Sequence, residues 1–349
     1  MKILMVGLGA IGQRHLRNLR TLMGTDLEIL AYRFNNNSQV FTDDLKIERD
    51  ISLEDKYNIN VYTELDQALA QKPDVVFVCN PSSLHMSTAL QAAQAGCHLF
   101  IEKPLSNNLD HVDELINLVK DQRAIAVVGY QMRFNPCLQQ LHSILQQEMI
   151  GRVLSVRAEV GEYLPGWHSY EDYRHSYASQ QDLGGGAILS QIHELDYLFW
   201  MFGFPRKVYA QGGHLSSLEV DVEDIVEILM EYKHDGQPMP VSVHLDYVQR
   251  PGRRTCELIG DQGKILVNLG ALTLDIFDGQ GKQVEASSYP GFQRNQMFLD
   301  ELNQFLLSLN GVPSSLVSLQ EAAQSLRMAM AAKESLATGK VIEFPGQLT

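Results

Sequence analysis

This sequence is poor in cysteine, has no long apolar run and carries no excess of positive charge. The four cysteines among 349 residues are scattered without a close pair, which argues against a disulfide framework or a zinc site and favours a reducing compartment. The formal net charge of -14 gives no global attraction to nucleic acid or to an anionic membrane. No stretch of about 18 apolar residues is present, so we expect no membrane span. These absences predict a cytoplasmic protein with no nucleic-acid partner, no membrane partner and no bound metal.

The opening stretch, "KILMVGLGAIGQRHL", does not have the composition of a secretory signal. Its apolar run is interrupted by Gly7, Gly9 and Gly12 and is followed by Arg14 and His15. A secretory signal needs an unbroken apolar core and a small-residue cleavage site. We therefore expect this stretch to be part of the fold.

Strands and helices alternate through the first 130 residues. Such alternation predicts a parallel sheet with helices on both faces, a Rossmann-type doubly wound domain. Residues 34–58 interrupt the pattern as an irregular, charged connection. The predicted strands cover 2–6, 27–32, 59–63, 74–80, 98–102 and 124–130, and the predicted helices cover 11–22, 64–71, 84–95 and 109–121.

The pattern changes after about residue 150. Apolar strand-like runs then follow one another with short turns such as "GDQG" and "DGQG", which is typical of an antiparallel sheet. Helices are predicted at 187–202, at about 293–309 and at 318–338. The fold class is therefore an α/β Rossmann domain, residues 1–130, followed by an α+β domain, residues 131–349, with one large open antiparallel sheet.

The segment "GLGAIG" fits the pattern G-x-G-x-x-G, which alone is weak evidence for nucleotide binding. Here it follows a predicted strand and opens a helix, which is the context that a dinucleotide-binding turn requires. The glycines would let the backbone approach a pyrophosphate at the positive end of the helix. The expected cofactor-binding residues of this turn are Gly7, Gly9, Ala10, Ile11 and Gly12.

The end of the second strand should contact the adenine-side ribose of the cofactor. An NAD site usually has an acidic residue there, but this chain has "AYRFNNNS" with Arg33 and no acid. An arginine can pair with a 2′-phosphate, so we expect NADP or NAD with a modest preference for NADP. A solvated loop arginine is the alternative.

Two further segments leave predicted strands at their carboxyl ends, where open α/β sheets bind ligands. "CNPSSLH" places Cys79, Asn80, Pro81 and His85 at the end of the fourth strand. A turn with a serine helix cap would explain this segment without a ligand. We predict that these four residues contact the cofactor.

"EKPLS" places Glu102 and Lys103 at the end of the fifth strand. A lysine at the crevice edge could donate to a substrate oxygen. A surface ion pair is the alternative. We predict that both residues border the cofactor and that Lys103 also contacts substrate.

The segment "GGGAILSQIHELDYLFWMFG" predicts a buried helix with His193 on its flank and Asp196 nearby. Histidine is the usual general base near neutral pH. A structural histidine bonded to Asp196 is the alternative. We take Lys103, His193 and Asp196 as the candidate catalytic residues.

Residues 161–181 are rich in aromatic side chains, with one tryptophan and four tyrosines. Aromatic faces with polar tips suit a polyhydroxylated ligand such as a sugar. A lid or a subunit contact would have a similar composition. Tyr163 and Trp167 are the candidate substrate contacts.

Taken together, these motifs resemble the Gfo/Idh/MocA family of oxidoreductases over nearly the whole chain. The lysine of the EKP step and the histidine of the glycine–histidine helix are, by this resemblance, Lys103 beside nicotinamide and substrate and His193 as acid/base. Relatives commonly carry an aspartate four residues before the histidine, and Ser190 takes its place in a segment one residue shorter. The motifs that carry the resemblance are "GLGAIGQRH", "NPSSLH", "EKPLS", "GYQMRFNP", "GGGAILSQIHELD" and "ESLATGKVIEF".

The resemblance implies further features of the site and of the assembly. Arg133 would help to line the crevice and contact substrate, and the antiparallel sheet would form the face of a homodimer or homotetramer. The shorter form with "HELDYL" resembles members found in bacterial surface-sugar pathways, including those for sialic-acid-like sugars.

We therefore expect an NAD(P)-dependent oxidoreductase acting on a secondary alcohol or ketone of a sugar, cyclitol or sugar derivative. Two alternatives remain at this point. One is a non-catalytic nucleotide or sugar sensor on the same fold. The other is NAD-assisted elimination or hydrolysis of a glycoside.

Overall fold

The computed structural model of the chain describes residues 1–24, 27–33, 39–42, 46–168 and 170–344. Two large sheets dominate it, one formed by the first 130 residues and one by residues from 153 onwards. The predicted α/β plus α+β architecture is confirmed.

The first part of the chain alternates strands with helices, as predicted. The strands are β1 (Lys2–Val6), β2 (Glu28–Tyr32), β3 (Val40–Phe41), β4 (Ile47–Glu48), β5 (Asn60–Tyr62), β6 (Val75–Val78), β7 (His98–Glu102) and β8 (Ala126–Gly129). The helices are α1 (Ala10–Met23), α2 (Leu53–Tyr57), α3 (Leu65–Leu69), α4 (His85–Gln94) and α5 (Val112–Asp121).

Six of these strands form a parallel sheet in the order β5-β2-β1-β6-β7-β8. The central strands are buried on both faces, as parallel strands between helical layers are. Strand order reverses between β1 and β6, so the carboxyl ends of these two strands border the crevice where such sheets bind ligands. Strands β3 and β4 form a separate two-stranded hairpin within the predicted irregular connection.

The second part of the chain is built around a nine-stranded sheet. Its strands are β9 (Val153–Gly161), β10 (Lys207–Gly213), β11 (Ile225–His234), β12 (Gln237–Asp246), β13 (Arg253–Gly260), β14 (Gly263–Asn268), β15 (Thr273–Asp278), β16 (Gln283–Ser288) and β17 (Ile342–Glu343). Its helices are α6 (Pro136–Leu145), α7 (Ala187–Ser190), α8 (His193–Phe202), α9 (Arg294–Leu309) and α10 (Leu319–Thr338).

The strand order of this sheet is β16-β15-β14-β13-β9-β12-β11-β10-β17. All neighbours run antiparallel except β12 and β9, which pair in parallel. Buried and exposed residues alternate along β11, because one face packs on the core. Helix α10 covers β10 on the buried face and also contacts α8, so α8 lies within the core of this domain.

The structure differs from the sequence-based expectation in its helices. The helix predicted over 187–202 is two helices, because the backbone at Gln191 leaves the helical region with φ -105° and ψ 28°. The Gln191 side chain there donates to the Asp246 carbonyl oxygen over 2.9 Å, which holds the break against β12. Helix α6 and strands β16 and β17 were not predicted at all.

None of the helices in the described ranges has both the length and the apolar composition that a bilayer-spanning helix needs. The four cysteines are free and buried.

Candidate active site

The glycine-rich turn after β1 is shaped by close backbone packing. Gly7 has φ +91°, and a Cβ added there would lie 2.7 Å from the Asn80 backbone nitrogen. A Cβ on Gly12 would lie 2.1 Å from the Gly7 carbonyl oxygen. Gly9, by contrast, faces open space. Gly7 and Gly12 are therefore required for close packing of the turn, whereas Gly9 has open space next to it.

The N-terminus of α1 opens onto that room. Gly9 is the N-cap residue, no side chain caps the helix among the described residues, and its first turn contains no acid. Ala10 and Ile11 are only partly buried. The first backbone N–H groups of α1 are thus available to an anion, and the helix dipole favours one.

The loop after β6 forms the opposite side of this space. The Asn80 side chain donates to the Thr88 hydroxyl over 3.0 Å, while its Oδ1 is buried and has no partner in the described chain. Cys79 lies beneath the loop, and burial raises the pKa of its thiol. Pro81 is partly exposed at the crevice side.

His85 supports two loops from below. Its Nδ1 lies 2.8 Å from the Pro104 carbonyl oxygen and its Nε2 lies 2.8 Å from the Asn80 carbonyl oxygen. Burial lowers the pKa of this imidazole. Both ring nitrogens lie next to backbone carbonyl oxygens, so His85 positions these two loops, and its contact with a cofactor stays a prediction.

Glu102, at the end of β7, is buried and bound to α1. Its Oε1 lies 2.5 Å from Nε2 of His15, and both side chains are nearly inaccessible to solvent. The His15 ring packs against Phe77 and Phe100. Glu102 thus ties the EKP segment to the helix that starts at the glycine turn.

Lys103 reaches from the first sheet to the second domain. Its ammonium donates to the Ser190 carbonyl oxygen over 2.8 Å. Nearby, the Ser82 hydroxyl donates to the Gly184 carbonyl oxygen over 3.1 Å. Two segments that follow strands of the first sheet therefore hold the chain that leads into α8. The residue that Lys103 contacts, Ser190, lies three residues before His193 in the sequence.

His193 is the first residue of α8 and is 5% exposed. The side-chain amide of Gln131 donates to its Nε2 over 3.2 Å. Burial lowers the pKa of His193 well below its ordinary value of 6.5, and the charges of Lys103, Arg254 and Arg294 lower it further. The imidazole is therefore neutral near pH 7, the state that a general base requires.

The structure places Asp196 and Arg133 together as a hydrogen-bonded ion pair. Both carboxylate oxygens of Asp196 accept from the Arg133 guanidinium at 2.9 Å. Ser325 also donates to Asp196, and Arg133 donates further to Glu321. Burial raises the pKa of Asp196, and the Arg133 guanidinium opposes that rise.

Arg133 is 6% exposed and Asp196 is fully buried. Asp196 lies one helical turn from His193, yet its hydrogen bonds go to Arg133 and Ser325. A bidentate arginine is the stronger partner for a buried carboxylate, so Asp196 pairs with Arg133 and does not orient His193. The Arg133 guanidinium is in turn occupied by Asp196 and Glu321.

A second buried ion pair lies beside His193. Arg254 of β13 donates to both oxygens of Glu194 over 2.7 and 2.9 Å. Glu194 is fully buried, whereas the Arg254 side chain is 21% exposed. Neither residue was predicted, because the pair joins a helix to a strand 60 residues later.

Tyr163 and Trp167 lie on the chain that leaves β9. The Arg250 guanidinium stacks 4.0 Å above the Tyr163 ring, and Trp167 packs edge-on against Tyr247 at 5.3 Å. The indole Nε1 of Trp167 is buried and has no partner in the described chain, so it is a free donor. This segment passes Glu162, whose charge acts on the Arg254–Glu194 pair.

Arg33 lies at the end of β2, as predicted, and its side chain is 9% exposed. Its guanidinium donates to Glu54 of α2 over 3.4 Å. The amide-rich residues that follow it, 34–38, lie outside the described ranges.

The structure therefore packs the glycine turn against Asn80 and joins Lys103 to the segment that leads into His193. Sequence reasoning missed Gln131, although it lies in the quoted "GYQMRFNP" segment two residues before Arg133. The position of Gln131, directly after a predicted strand at the carboxyl edge of the sheet, was the available signal.

Two sequence models of one family match this chain. The model described as the GFO/IDH/MocA oxidoreductase family, NAD-binding Rossmann fold, matches residues 1–130. The model of the GFO/IDH/MocA C-terminal domain matches residues 138–266. Together the two models account for most of the chain.

Individual relatives are similar at low identity. The myo-inositol 2-dehydrogenase of Thermotoga maritima is 26% identical over 352 aligned residues, which cover 96% of each chain. The 2,7-anhydro-N-acetylneuraminate hydratase of Mediterraneibacter gnavus is 25% identical over 52% of this chain and 48% of that protein. The crystal structure of the WlbA dehydrogenase from Bordetella pertussis in complex with NADH and UDP-GlcNAcA has a TM-score of 0.79 and 21% identity and covers 99% of each chain. At that identity the likeness shows the fold.

Proposed function

This chain belongs to the GFO/IDH/MocA family of NAD-binding oxidoreductases, and on that premise we propose that it oxidises or reduces a secondary alcohol or ketone of a sugar, a cyclitol or a sugar derivative. The observation that carries the proposal is the contact between Lys103 and the Ser190 carbonyl. This contact brings a cation from the nucleotide-binding domain to the start of the helix that bears His193.

The crevice fits a dinucleotide. Gly9 faces open space, the first amides of α1 have no side-chain cap in the described chain, and Asn80 Oδ1 is buried and unpartnered. A pyrophosphate suits the helix terminus, and a carboxamide or ribose hydroxyl suits the amide oxygen. When bound, the nicotinamide supplies the acceptor or donor of hydride.

His193 is the proposed general base for alcohol oxidation. Its depressed pKa keeps the imidazole neutral, so Nε2 can take the hydroxyl proton once a substrate hydroxyl replaces the Gln131 amide. The same nitrogen returns the proton in the direction of reduction. We propose that Gln131 positions this ring in the absence of substrate.

Lys103 is the proposed donor to the substrate oxygen. Its ammonium is held at the crevice by one carbonyl oxygen and has further N–H groups to offer. A cation fixed there stabilises negative charge as it develops on the alkoxide. Asp196 and Arg133 take structural roles in this proposal, whereas Tyr163 and Trp167 line the substrate side.

We further propose that the cofactor is NADP with a modest preference over NAD. Arg33 lies at the strand end where a 2′-phosphate would be placed. Its ion pair with Glu54 opposes this preference, because the phosphate has to compete with a carboxylate. The preference is therefore expected to be small.

A second candidate function is hydration of an anhydro-sugar through transient oxidation. The similarity to a 2,7-anhydro-N-acetylneuraminate hydratase favours it. Such a reaction would use the same base and cation but would return the hydride to the sugar, so no reduced cofactor would accumulate.

A panel of sugars, cyclitols and anhydro-sugars tests these proposals. The absorbance of reduced nicotinamide is followed with NAD and NADP in separate reactions, and sugar products are analysed by chromatography. Net formation of reduced cofactor supports the dehydrogenase, and sugar conversion without it supports the hydratase. Tight cofactor binding with no conversion of any member would favour a sensor and contradict both.

A further inference from the structure

Part of the aromatic-rich segment after β9 contacts the nucleotide-binding domain at both of its ends. We call residues 170–184 the strap, which consists of short 3-10 turns joined by irregular residues. Its first residue, Tyr170, packs on β3 of the first domain. Its last two residues accept hydrogen bonds from the 3-10 turn Ser82–Leu84, which follows β6.

The first contact is a pair of aromatic rings. The rings of Tyr170 and Phe41 have centroids 4.3 Å apart and planes inclined by 44°. Phe41 is 5% exposed, although it belongs to a hairpin whose strands have only two residues each. Aromatic pairs in this range of separation attract each other beyond the apolar area that they bury. The pair therefore joins the strap to the hairpin.

Gln13 joins that hairpin to the glycine turn. This side chain is fully buried near the start of α1. Its Nε2 donates to the carbonyl oxygens of Leu8, in the glycine turn, over 3.0 Å and of Gln39 over 2.8 Å. Its Oε1 accepts from the Phe41 backbone N–H over 2.8 Å. The position of Phe41 is thus fixed by the helix whose N-terminus is open to an anion.

The other end of the strap is held through its backbone. The Ser82 hydroxyl lies 3.3 Å from the Leu183 carbonyl oxygen and 3.1 Å from the Gly184 carbonyl oxygen. Gly184 has φ +84°, and a Cβ added there would lie 2.1 Å from the Ser82 Oγ. The hairpin follows β2 and Ser82 follows β6, and these two strands flank β1 in the sheet. The two ends of the strap therefore contact segments on either side of the strand that leads into the glycine turn.

We propose that the strap closes over a dinucleotide bound at the glycine turn, and that separation of Tyr170 from Phe41 is the step that releases it. This inference rests on the proposed function for the nature of the ligand and adds the control of its exchange. The Ser82 end is bonded to backbone and closely packed, whereas the Tyr170 end is a contact between partly buried side chains. The Tyr170 end is therefore the one that opens.

The strap bears on the two candidate reactions in different ways. A dehydrogenase has to exchange its cofactor in every turnover, and opening of a covering segment often limits kcat. A reaction that returns the hydride to the same sugar needs no such exchange. Loosening the strap should therefore accelerate net oxidation but leave hydration of an anhydro-sugar unchanged.

The test measures release of the cofactor directly and needs no sugar substrate. Full-length protein loaded with NADH, or with NADPH, is mixed with an excess of the oxidised cofactor, and the fluorescence of the bound reduced form is followed by stopped flow. The variants are Tyr170→Ala, Tyr170→Phe, Phe41→Leu and the double variant Tyr170→Ala with Phe41→Leu. Tyr173→Ala is the matched control, because Tyr173 also lies on the strap but its hydroxyl accepts from the Glu219 backbone N–H of the second domain.

Tyr170→Ala should raise the dissociation rate constant about tenfold, as expected for loss of one aromatic pair and its buried area. Tyr170→Phe keeps the ring and should match the wild type, as should Tyr173→Ala. Phe41→Leu should also accelerate release. The double variant should release the cofactor no faster than Tyr170→Ala, because both changes remove the same contact.

A wild-type dissociation rate in Tyr170→Ala and in Phe41→Leu would overturn the strap proposal and leave dinucleotide binding intact. Equal acceleration by Tyr170→Ala and Tyr173→Ala would also overturn it, since the effect would then come from general loosening of the segment. Failure of the wild-type protein to bind either reduced cofactor would contradict the proposed function itself, and the strap proposal with it.

Discussion

The ammonium of Lys103 lies 2.8 Å from the carbonyl oxygen of Ser190. One residue follows a strand of the parallel sheet and the other ends the short helix before His193. Ser190 stands where the family resemblance leads one to expect an aspartate. Its backbone oxygen, rather than its side chain, holds the lysine.

Replacing Lys103 with methionine should lower kcat by about a hundredfold or more, because one preorganised donor to the alkoxide is lost. The affinity for NADH should change little, since Lys103 reaches away from the glycine turn. The exposed Lys120→Met on α5 is the matched control and should keep wild-type kinetics. Wild-type turnover in Lys103→Met would remove this residue from the mechanism.

Lys103→Met should also change the pH dependence of kcat/KM. The Lys103 charge lowers the pKa of His193, so its removal should raise that pKa and move the acidic limb of kcat/KM to higher pH. The limb should remain below the ordinary histidine value, because burial is the larger cause of the depression. A pH–rate profile of the residual activity measures the shift, and an unmoved limb would show that another group titrates.

His193→Ala should lower kcat by about 10²–10⁴-fold, as loss of a general base does, and should abolish the acidic limb. His234→Gln is the control, since His234 lies at the far end of the β11–β12 hairpin. Circular dichroism should show both variants folded. An acidic limb that persists in His193→Ala would indicate a different base.

The buried pair of Asp196 and Arg133 gives a prediction about stability. Asp196→Ala leaves the guanidinium buried without its partner and should reduce the free energy of unfolding by about 3–5 kcal/mol. Asp113→Ala, which removes an exposed carboxylate on α5, should change it by about 0.5 kcal/mol or less. Denaturant titration measures both.

The double variant Arg133→Met with Asp196→Leu should recover much of that stability, because an apolar pair can replace a buried ion pair. Wild-type stability in Asp196→Ala together with loss of turnover would instead support the catalytic role first expected from the sequence.

Cofactor choice should depend on Arg33 and its partner. Arg33→Ala should weaken NADP binding about tenfold, which corresponds to about 1.4 kcal/mol, and should leave NAD binding nearly unchanged. Glu54→Gln should strengthen NADP binding, because the carboxylate no longer competes with the 2′-phosphate. Calorimetric titration with both cofactors tests this, and equal affinities for NADP and NAD in the wild type would rule out the preference.

The open face of the nine-stranded sheet should join subunits. Leu229, on β11, is 55% exposed and lies between Tyr209 and Ser242 of the neighbouring strands. Light scattering should give at least twice the chain mass of 39.2 kDa. Leu229→Arg should shift the mass towards the monomer, whereas Leu215→Arg, at an exposed loop position, should not. A wild-type monomer at micromolar concentration would contradict the assembly.

Much of this architecture could be predicted from local patterns. The alternation of strands and helices gave the parallel sheet, and the glycine spacing gave the turn between β1 and α1, because both depend on neighbouring residues. The helices predicted at 293–309 and 318–338 agree closely with α9 and α10. The break at Gln191 could not be predicted, since it is held by a carbonyl of β12, a strand 55 residues away in the chain.

The sequence by itself determined that Lys103 follows a strand at the carboxyl edge of the sheet, that His193 lies on a helix, and that the chain has a dinucleotide-binding turn. Only the tertiary structure decided which charges meet. It paired Asp196 with Arg133 and Glu194 with Arg254, and it joined Lys103 to the Ser190 carbonyl oxygen. Sequence spacing places residues along one element, but the partner of a buried charge comes from whichever element packs against it, and burial makes that pairing energetically decisive.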